Sequence, residues 1–309
     1  MHPPSSRQPS TEGTTIDLTG SAVFTDLDGT LLDANQQLAP VNRGALEQLG
    51  KDEIWRIVVT GRSLFSARRV LDPHFPIDVL VTSSGAGIFR FPAEQVLHSA
   101  MMEERHVQGS AALLKRLALD FMVHAPLPDN HFFKWHRSGG QNTDFCKRLE
   151  IYSGYHQPLP EDLTTVGPAT QLLVVCPRDD NGRLHRVLRI ELPDLTVIRT
   201  TSPLDHRSIW YEIFPPGISK ASAAAWICEH YGIDQHTALA IGNDYNDLDL
   251  LHWGSFSRVV ANAPPDLRRQ FAMVSDHNNN GFAEAVADWR KTILAQSSNH
   301  SPEQITLDE

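Results

Sequence analysis

Short apolar runs recur along this chain, and three of them stop abruptly at a polar cluster. Ala22-Val23-Phe24 runs into Asp26-Leu27-Asp28-Gly29-Thr30, Ile54 to Val59 into Thr60-Gly61-Arg62, and Ala238 to Ile241 into Gly242-Asn243-Asp244-Tyr245-Asn246-Asp247. Between the runs lie stretches with helical patterning. Pro40 to Leu49 is closed by Gly50. Ser219 to Tyr231 has Ser219 as its N-cap and Gly232 just past its end. Val- and Ile-rich runs alternating with helices specify a parallel sheet covered on both faces, the α/β class. In such a sheet the carboxyl ends of adjacent strands share one crevice, and ligands bind there. The three clusters, with Lys220 at the start of the second helix, are therefore expected to converge.

Asp26 and Asp28 are the most pointed of these features. Two carboxylates two residues apart leave a buried strand together, and Gly29 lets the backbone bend at once. Like charges this close are costly unless a cation or a proton lies between them. One carboxylate then suits a nucleophile and metal ligand, the other an acid and base.

The alternation breaks between Phe89 and Thr201, where His and aromatic residues are denser and the apolar runs wider apart. Leu172 to Cys176 and Thr196 to Ile198 read as strands, and Gly109 to Leu119 and Asn181 to Leu192 as helices. This is an expected α+β insert, residues 89–201. It interrupts a core of residues 20–88 and 202–295, with loose polar ends at 1–19 and 296–309. Within the insert, His131 to Arg137 mixes cations with aromatics, and a half-buried strand is the expected reading.

Composition excludes several classes. The net charge is -10, so no basic field attracts nucleic acid or anionic lipid. The 41% hydrophobic content supports a substantial core. Three cysteines without CxxC spacing make no disulfide framework, and Met1 to Thr15 has no apolar run, so a reducing cytoplasmic setting is expected. No apolar stretch is long enough to span a membrane. No GxxxxGK[ST] loop and no HExxH spacing is present, which argues against nucleotide triphosphatase and zinc chemistry.

The four clusters in this order resemble the motifs of the haloacid dehalogenase superfamily. Asp26-Leu-Asp-Gly-Thr30 matches the first, Thr60 in Val-Val-Thr-Gly-Arg the second, Lys220 the third, and Gly242 to Asp247 the fourth. Ser83-Ser84-Gly85-Ala86, Gly217-Ile218-Ser219-Lys220, Val260-Ala261-Asn262-Ala263 and Asn280-Gly281-Phe282 resemble the Cof-type branch, which carries a large α+β cap. The resemblance covers residues 21–295. It implies a Rossmann-like core with an inserted cap domain. It also implies a Mg²⁺-dependent phosphatase of small phosphorylated metabolites, sugar phosphates foremost, working through an aspartyl-phosphate.

Carried onto this sequence, the resemblance makes Asp26 the nucleophile, Asp28 the acid and base, and Thr60 and Lys220 the phosphoryl and Asp26 partners. Gly61 is expected beside substrate, and Arg62 either beside substrate or paired with a core carboxylate. Asp26, Asp28 (through its backbone carbonyl), Asn243, Asp244 and Asp247 form the metal region. Two departures stand out. The branch's usual Gly-Asp-x-x-Asn-Asp has Asn243 in its second position, followed by Asp244, so either is open as the direct ligand. Ser84 replaces an Asn before the cap. Asp247 binds the metal directly or from behind. Phosphomutase or phosphotransferase chemistry is the alternative within enzymes. Outside them, the alternative is a binding module that has lost turnover.

Overall fold

The computed structural model describes residues 18–177 and 182–298. The expected loose ends fall mostly outside that range, as does Asn181. Among the described residues, one sheet of eight strands forms the core. It contains β1 (Ala22–Thr25), β2 (Trp55–Val59), β3 (Val79–Thr82), β4 (Gly87–Arg90) and β5 (Gln95–Ser99). After the insert come β12 (Leu239–Gly242), β13 (Phe256–Val260) and β14 (Ala272–Val274). The strand order is β14-β13-β12-β1-β2-β3-β4-β5. All pairings from β14 to β3 are parallel, while β4 and β5 extend the edge antiparallel.

Residue alternation feeds two cores, one on each face of the sheet. Val23, Val58, Leu80 and Ile241 pack with Leu46, Leu49 and Trp289. These last come from α1 (Pro40–Lys51) and α9 (Gly281–Ser298). Phe24, Ile57, Val59, Val81 and Ala240 pack with Ala223, Ala224, Ile227 and Leu250. Those belong to α6 (Lys220–Tyr231) and α7 (Leu248–Trp253). Each fully buried large aliphatic or aromatic side chain contributes about 1.5–3 kcal/mol relative to exposure. Helix α1 begins with Pro at its first turn. Helix α6 begins with a Ser219/Ser222 capping box and ends at Gly232 in the left-handed region, φ 67°. Helix α9 continues to Ser298, past the expected end at residue 295.

The insert is a six-stranded sheet of order β10-β11-β9-β6-β7-β8. Its strands are β6 (Phe121–His124), β7 (Phe133–His136), β8 (His156–Pro158), β9 (Gln171–Cys176), β10 (Thr196–Thr201) and β11 (Ile209–Phe214). Helices α3 (Glu104–Arg116) and α5 (Arg183–Glu191) cover one face through Val107, Ala111, Leu114 and Leu188. Helix α4 (Thr143–Ile151) packs on the other through Phe145. The remaining helices are α2 (Leu64–Ala67) and α8 (Pro265–Gln270).

The expected boundaries at 88/89 and 201/202 both cut through paired structure. Strands β4 and β5 form a hairpin on the core sheet. Strand β11 pairs with β9 and β10 in the second sheet, because the chain turns back at Ser202, whose N–H bonds Ser208 O at 2.8 Å. The crossings between the two units therefore lie near Ala100 and Pro215.

Candidate active site

The sheet register builds the site. Thr25 pairs with Val58 on one side and Ile241 on the other. Asp26, the next residue, therefore leaves β1 between Thr60 and Gly242-Asn243. Its N–H bonds Ile241 O at 2.9 Å, which holds the strand end in line. Gly29 turns the chain with φ 71°, and a Cβ there would meet Asn243 Nδ2 at 2.7 Å. The left-handed φ calls for glycine here, and the close approach of the Asn243 amide adds to that demand. Asn262 Nδ2 donates to Gly29 O at 2.8 Å and clamps the turn from outside.

Lys220 is fully buried, unusual for a lysine, and the reason is a pair of acids. Its Nζ donates to Asp26 Oδ1 at 2.6 Å and to Asp247 Oδ1 at 2.5 Å. Burial opposes the ammonium charge, but Asp247 and Asp26 more than offset this and hold Lys220 above its ordinary range. Burial, with Asp247 nearby, pushes Asp26 up to about 7, although Lys220 pulls the other way. Two carboxylates share one ammonium, so with both ionised the group would carry one uncompensated negative charge.

Asp247 spends its other oxygen on the loop. Oδ2 accepts from the N–H groups of Asn243 (2.7 Å) and Asp244 (3.0 Å). It fixes Lys220 and the fourth cluster together, and its contacts are with nitrogen. A Cβ at Gly242 would strike the Asp247 side chain at 2.5 Å, so the loop folds back only over glycine.

The residues present fit a hard cation. Asn243 Oδ1 lies 3.2 Å from Asp26 Oδ2, from the Asp28 backbone oxygen and from Thr30 Oγ1. Turning the amide over would aim N–H at these same atoms. With the oxygen inward, three acceptors face one another, a set that a Mg²⁺-sized ion satisfies. Among the described residues no group of three His, Cys, Asp or Glu side chains converges. The candidate set is instead one carboxylate, one peptide carbonyl and one amide.

Asp244 is not part of that set. Its carboxylate accepts from Thr201 N (3.0 Å), Thr201 Oγ1 (3.3 Å) and Thr200 Oγ1 (3.3 Å). The residue expected to supply metal charge is turned toward the insert by these three donors. Arg62, expected beside substrate or on a core carboxylate, is paired within the core. It binds Asp28 with two 2.6 Å bonds from Nε and Nη2, and it also donates to Ser66 and Gln36. Both Asp28 oxygens are thus held by one planar fork. Thr60 is buried, and its hydroxyl accepts from Arg62 N at 3.2 Å. A Cβ at Gly61 would lie 3.5 Å from Ser84 Oγ and 3.7 Å from Asn246 Nδ2, so Gly61 passes between these side chains.

One functional candidate escaped the sequence reading. Glu212, on β11, is buried and accepts from Ser84 Oγ at 2.8 Å. Burial raises its carboxyl, while Ser84 and Arg148 lower it. A lone acid inside Ile-Trp-Tyr-Glu-Ile-Phe was the available signal.

A profile of haloacid dehalogenase-like hydrolases matches residues 23–287. The chain belongs to the haloacid dehalogenase-like hydrolases. The putative phosphatase YxeH of Bacillus subtilis (strain 168) is 23% identical over 275 residues, covering 84% of this chain and 95% of that protein. An HMP-PP phosphatase of Enterobacter sp. (strain 638) is 28% identical over 278 residues, covering 85% and 93%. A solved structure described as the subclass IIB sugar phosphatase BT4131 aligns with a TM-score of 0.69 at 16% identity, over 87% of this chain and 98% of that one. This family member has the Cof-type arrangement, a parallel core with a large insert, and hydrolysis as its enzyme class. Among the described residues no helix is long and apolar enough to cross a membrane.

Proposed function

We propose that this hydrolase is a Mg²⁺-dependent phosphomonoesterase of small phosphorylated metabolites, sugar phosphates in particular, and that Asp26 is its nucleophile. One observation carries the reading. Asp26 is gripped by buried Lys220 through Oδ1, while Oδ2 faces the Asn243 amide and the Asp28 carbonyl. Such a carboxylate has one fixed orientation, which nucleophilic attack requires. The sugar-phosphate preference draws support from the likeness to BT4131, described as a sugar phosphatase.

Asp26 Oδ2, the Asp28 carbonyl and Asn243 Oδ1 would hold the ion, which when bound offsets the charge of an anionic phosphoryl group. Lys220 orients Asp26 and offsets part of its charge. The Thr60 hydroxyl and the N–H groups of the turn after Asp26 bind phosphoryl oxygens. Asp26 attacks phosphorus, the P–O bond to the leaving group breaks, and Asp28 gives that oxygen a proton. Water then cleaves the aspartyl-phosphate, with Asp28 taking the proton back. Because Arg62 holds both Asp28 oxygens, one of those bonds must open at each transfer. The insert acts as the cap over this chemistry.

The test is phosphate release from p-nitrophenyl phosphate and from hexose 6-phosphates, with Mg²⁺ and after chelation. Release that requires Mg²⁺ and disappears in Asp26→Asn is the expected result. Mg²⁺-independent release, or full turnover by a folded Asp26→Asn chain, overturns the assignment. Transfer of the phosphoryl group to a second sugar in place of water would mark a phosphotransferase.

A further inference from the structure

The face of the second sheet that meets the core carries buried polar atoms without partners. Strand alternation puts His124, Gln171 and Glu212 on the same face as Met122, Leu173 and Trp210. His124 and Gln171 are register partners on β6 and β9. This face seats directly on the core's strand ends. Glu212 accepts from Ser84 Oγ, Asn130 Nδ2 donates to Ser83 Oγ at 2.7 Å, and His131 stacks on Phe65 at 4.4 Å. Ser84 N in turn bonds Thr60 O at 3.0 Å, so the polar face adjoins the phosphoryl site.

His124, Asn130 and Gln171 are 3%, 2% and 5% exposed, yet His124 Nε2, Asn130 Oδ1 and Gln171 Oε1 have no hydrogen-bond partner. Unpaired buried polar atoms are costly, and a cluster of them calls for a cause. Their chemistry is consistent. His124 Nδ1 lies 2.7 Å from Asn130 O, a carbonyl that only accepts, so Nδ1 carries the proton and Nε2 is an acceptor. Burial, with Arg148 nearby, holds His124 down at about 3, which keeps the ring neutral. Gln171 bonds Glu212 through its amide, and a carboxylate there selects the N–H₂ end, leaving Oε1 free. Arg148 supplies one donor, an unpartnered Nε, with its plane over Trp210 at 4.8 Å. Its charge is answered by Glu212 and Asp144.

We propose that His124, Asn130, Gln171 and Glu212, with Arg148, form the subsite for the leaving group, and that this subsite selects an uncharged polyol. Three neutral acceptors and a carboxylate need O–H donors. A second phosphate or a carboxylate on the leaving group would face Glu212 and the acceptors and be disfavoured. This deepens the phosphomonoesterase reading and rests on it for the phosphoryl end alone.

The test is calorimetric binding to the full-length Asp26→Asn chain with Mg²⁺, using glucose 6-phosphate, hexyl phosphate and 6-aminohexyl phosphate. Glucose 6-phosphate should bind at least roughly tenfold more tightly than hexyl phosphate, since a site built for hydroxyls rejects analogues lacking them. Gln171→Leu or His124→Phe in the same background should shrink that ratio toward one, while His124→Gln keeps an acceptor and retains most of it. Equal binding of glucose 6-phosphate and hexyl phosphate to the Asp26→Asn chain overturns the proposal without needing any cap variant. Tighter binding of the aminohexyl ester alone overturns the polyol assignment in favour of an amine. An enzyme that releases phosphate from no ester sinks the hydrolase reading, and the binding ratio still decides this one.

Discussion

The carboxylate of Asp244 accepts from Thr201 N at 3.0 Å and so joins the loop bearing Asn243 to the last residue of β10. Tyr245, next along, lies under the Arg199 guanidinium at 4.5 Å. Replacing Asp244 by Ala removes three hydrogen bonds between core and insert. Bonds to a charged group contribute about 1.5–3 kcal/mol each when well shielded, less here where the site is partly exposed. Amide exchange in β10 should quicken, and KM for sugar phosphates should rise more than kcat falls. Exchange as slow as in the parent chain would show that Asp244 does not tether the insert.

Metal affinity separates Asn243 from Asp244. Asn243→Asp adds a charge at the oxygen set and should lower the half-saturating Mg²⁺ concentration. Asp244→Asn should move it by less than about twofold, because its oxygens face Thr200 and Thr201. Activity titrated against Mg²⁺ checks both, and loss of metal dependence in Asp244→Asn would restore Asp244 as a direct ligand.

Lys220→Met leaves two buried carboxylates facing each other with no cation. Breaking a buried pair in this way costs roughly 3–5 kcal/mol. Urea unfolding of the metal-free chain should show that loss, and added Mg²⁺ should recover part of it through binding to the folded state.

Asp28→Asn removes acid and base help, worth roughly 10²–10⁴-fold in rate. The loss should grow as the leaving group becomes more basic, so alkyl phosphates should suffer more than nitrophenyl phosphate. A uniform loss across leaving groups would make Asp28 a structural partner of Arg62 only.

His124 predicts a pH dependence of stability. Its folded value of about 3 lies below the ordinary 6.5. Above pH 6.5 the ring is neutral in both states and its full contribution is present. As pH falls below 6.5 the unfolded chain takes up a proton that the folded chain refuses, and stability drops by about 1.4 kcal/mol per pH unit until pH approaches 3. Between pH 7 and 5 the parent chain should therefore lose about 2 kcal/mol more than His124→Gln does. Identical slopes in urea unfolding would show that the ring is not held neutral.

Much of the core was legible because its signals are local. Strand β1 ends in Asp26-Leu-Asp28-Gly29 where the apolar run ends, and α6 starts and stops at Ser219 and Gly232, whose caps need only neighbouring residues. Strand β11 was recognisable as a strand, but its sheet was not. Ile209 to Phe214 is buried throughout, and a run that is apolar but for Glu212 pairs equally well in either sheet. The hairpin β4-β5 was missed as core because its outer strand, Gln95–Ser99, is largely exposed and carries no apolar run. At the site, the closeness of Asp26, Lys220 and Asn243 follows from motif order. The direction of the Asp244 carboxylate depends on Thr200 and Thr201, some forty residues earlier, and no local pattern encodes it. Arg62 had two equally plausible partners in sequence, and only the turn geometry brings Asp28 within its fork.

Among the described residues, the polar and ring contacts of the insert on the core include Ser83-Ser84 after β3, Phe65 after β2, and Asp244 after β12. Each lies in the segment that follows one of these strands, and these segments also frame Asp26. A transplanted insert from a relative would therefore have to bring matching contacts for all three segments, or it would pull the reacting groups out of register. Variation that keeps these contacts and changes only the residues between them is the route by which this scaffold could take up a new substrate.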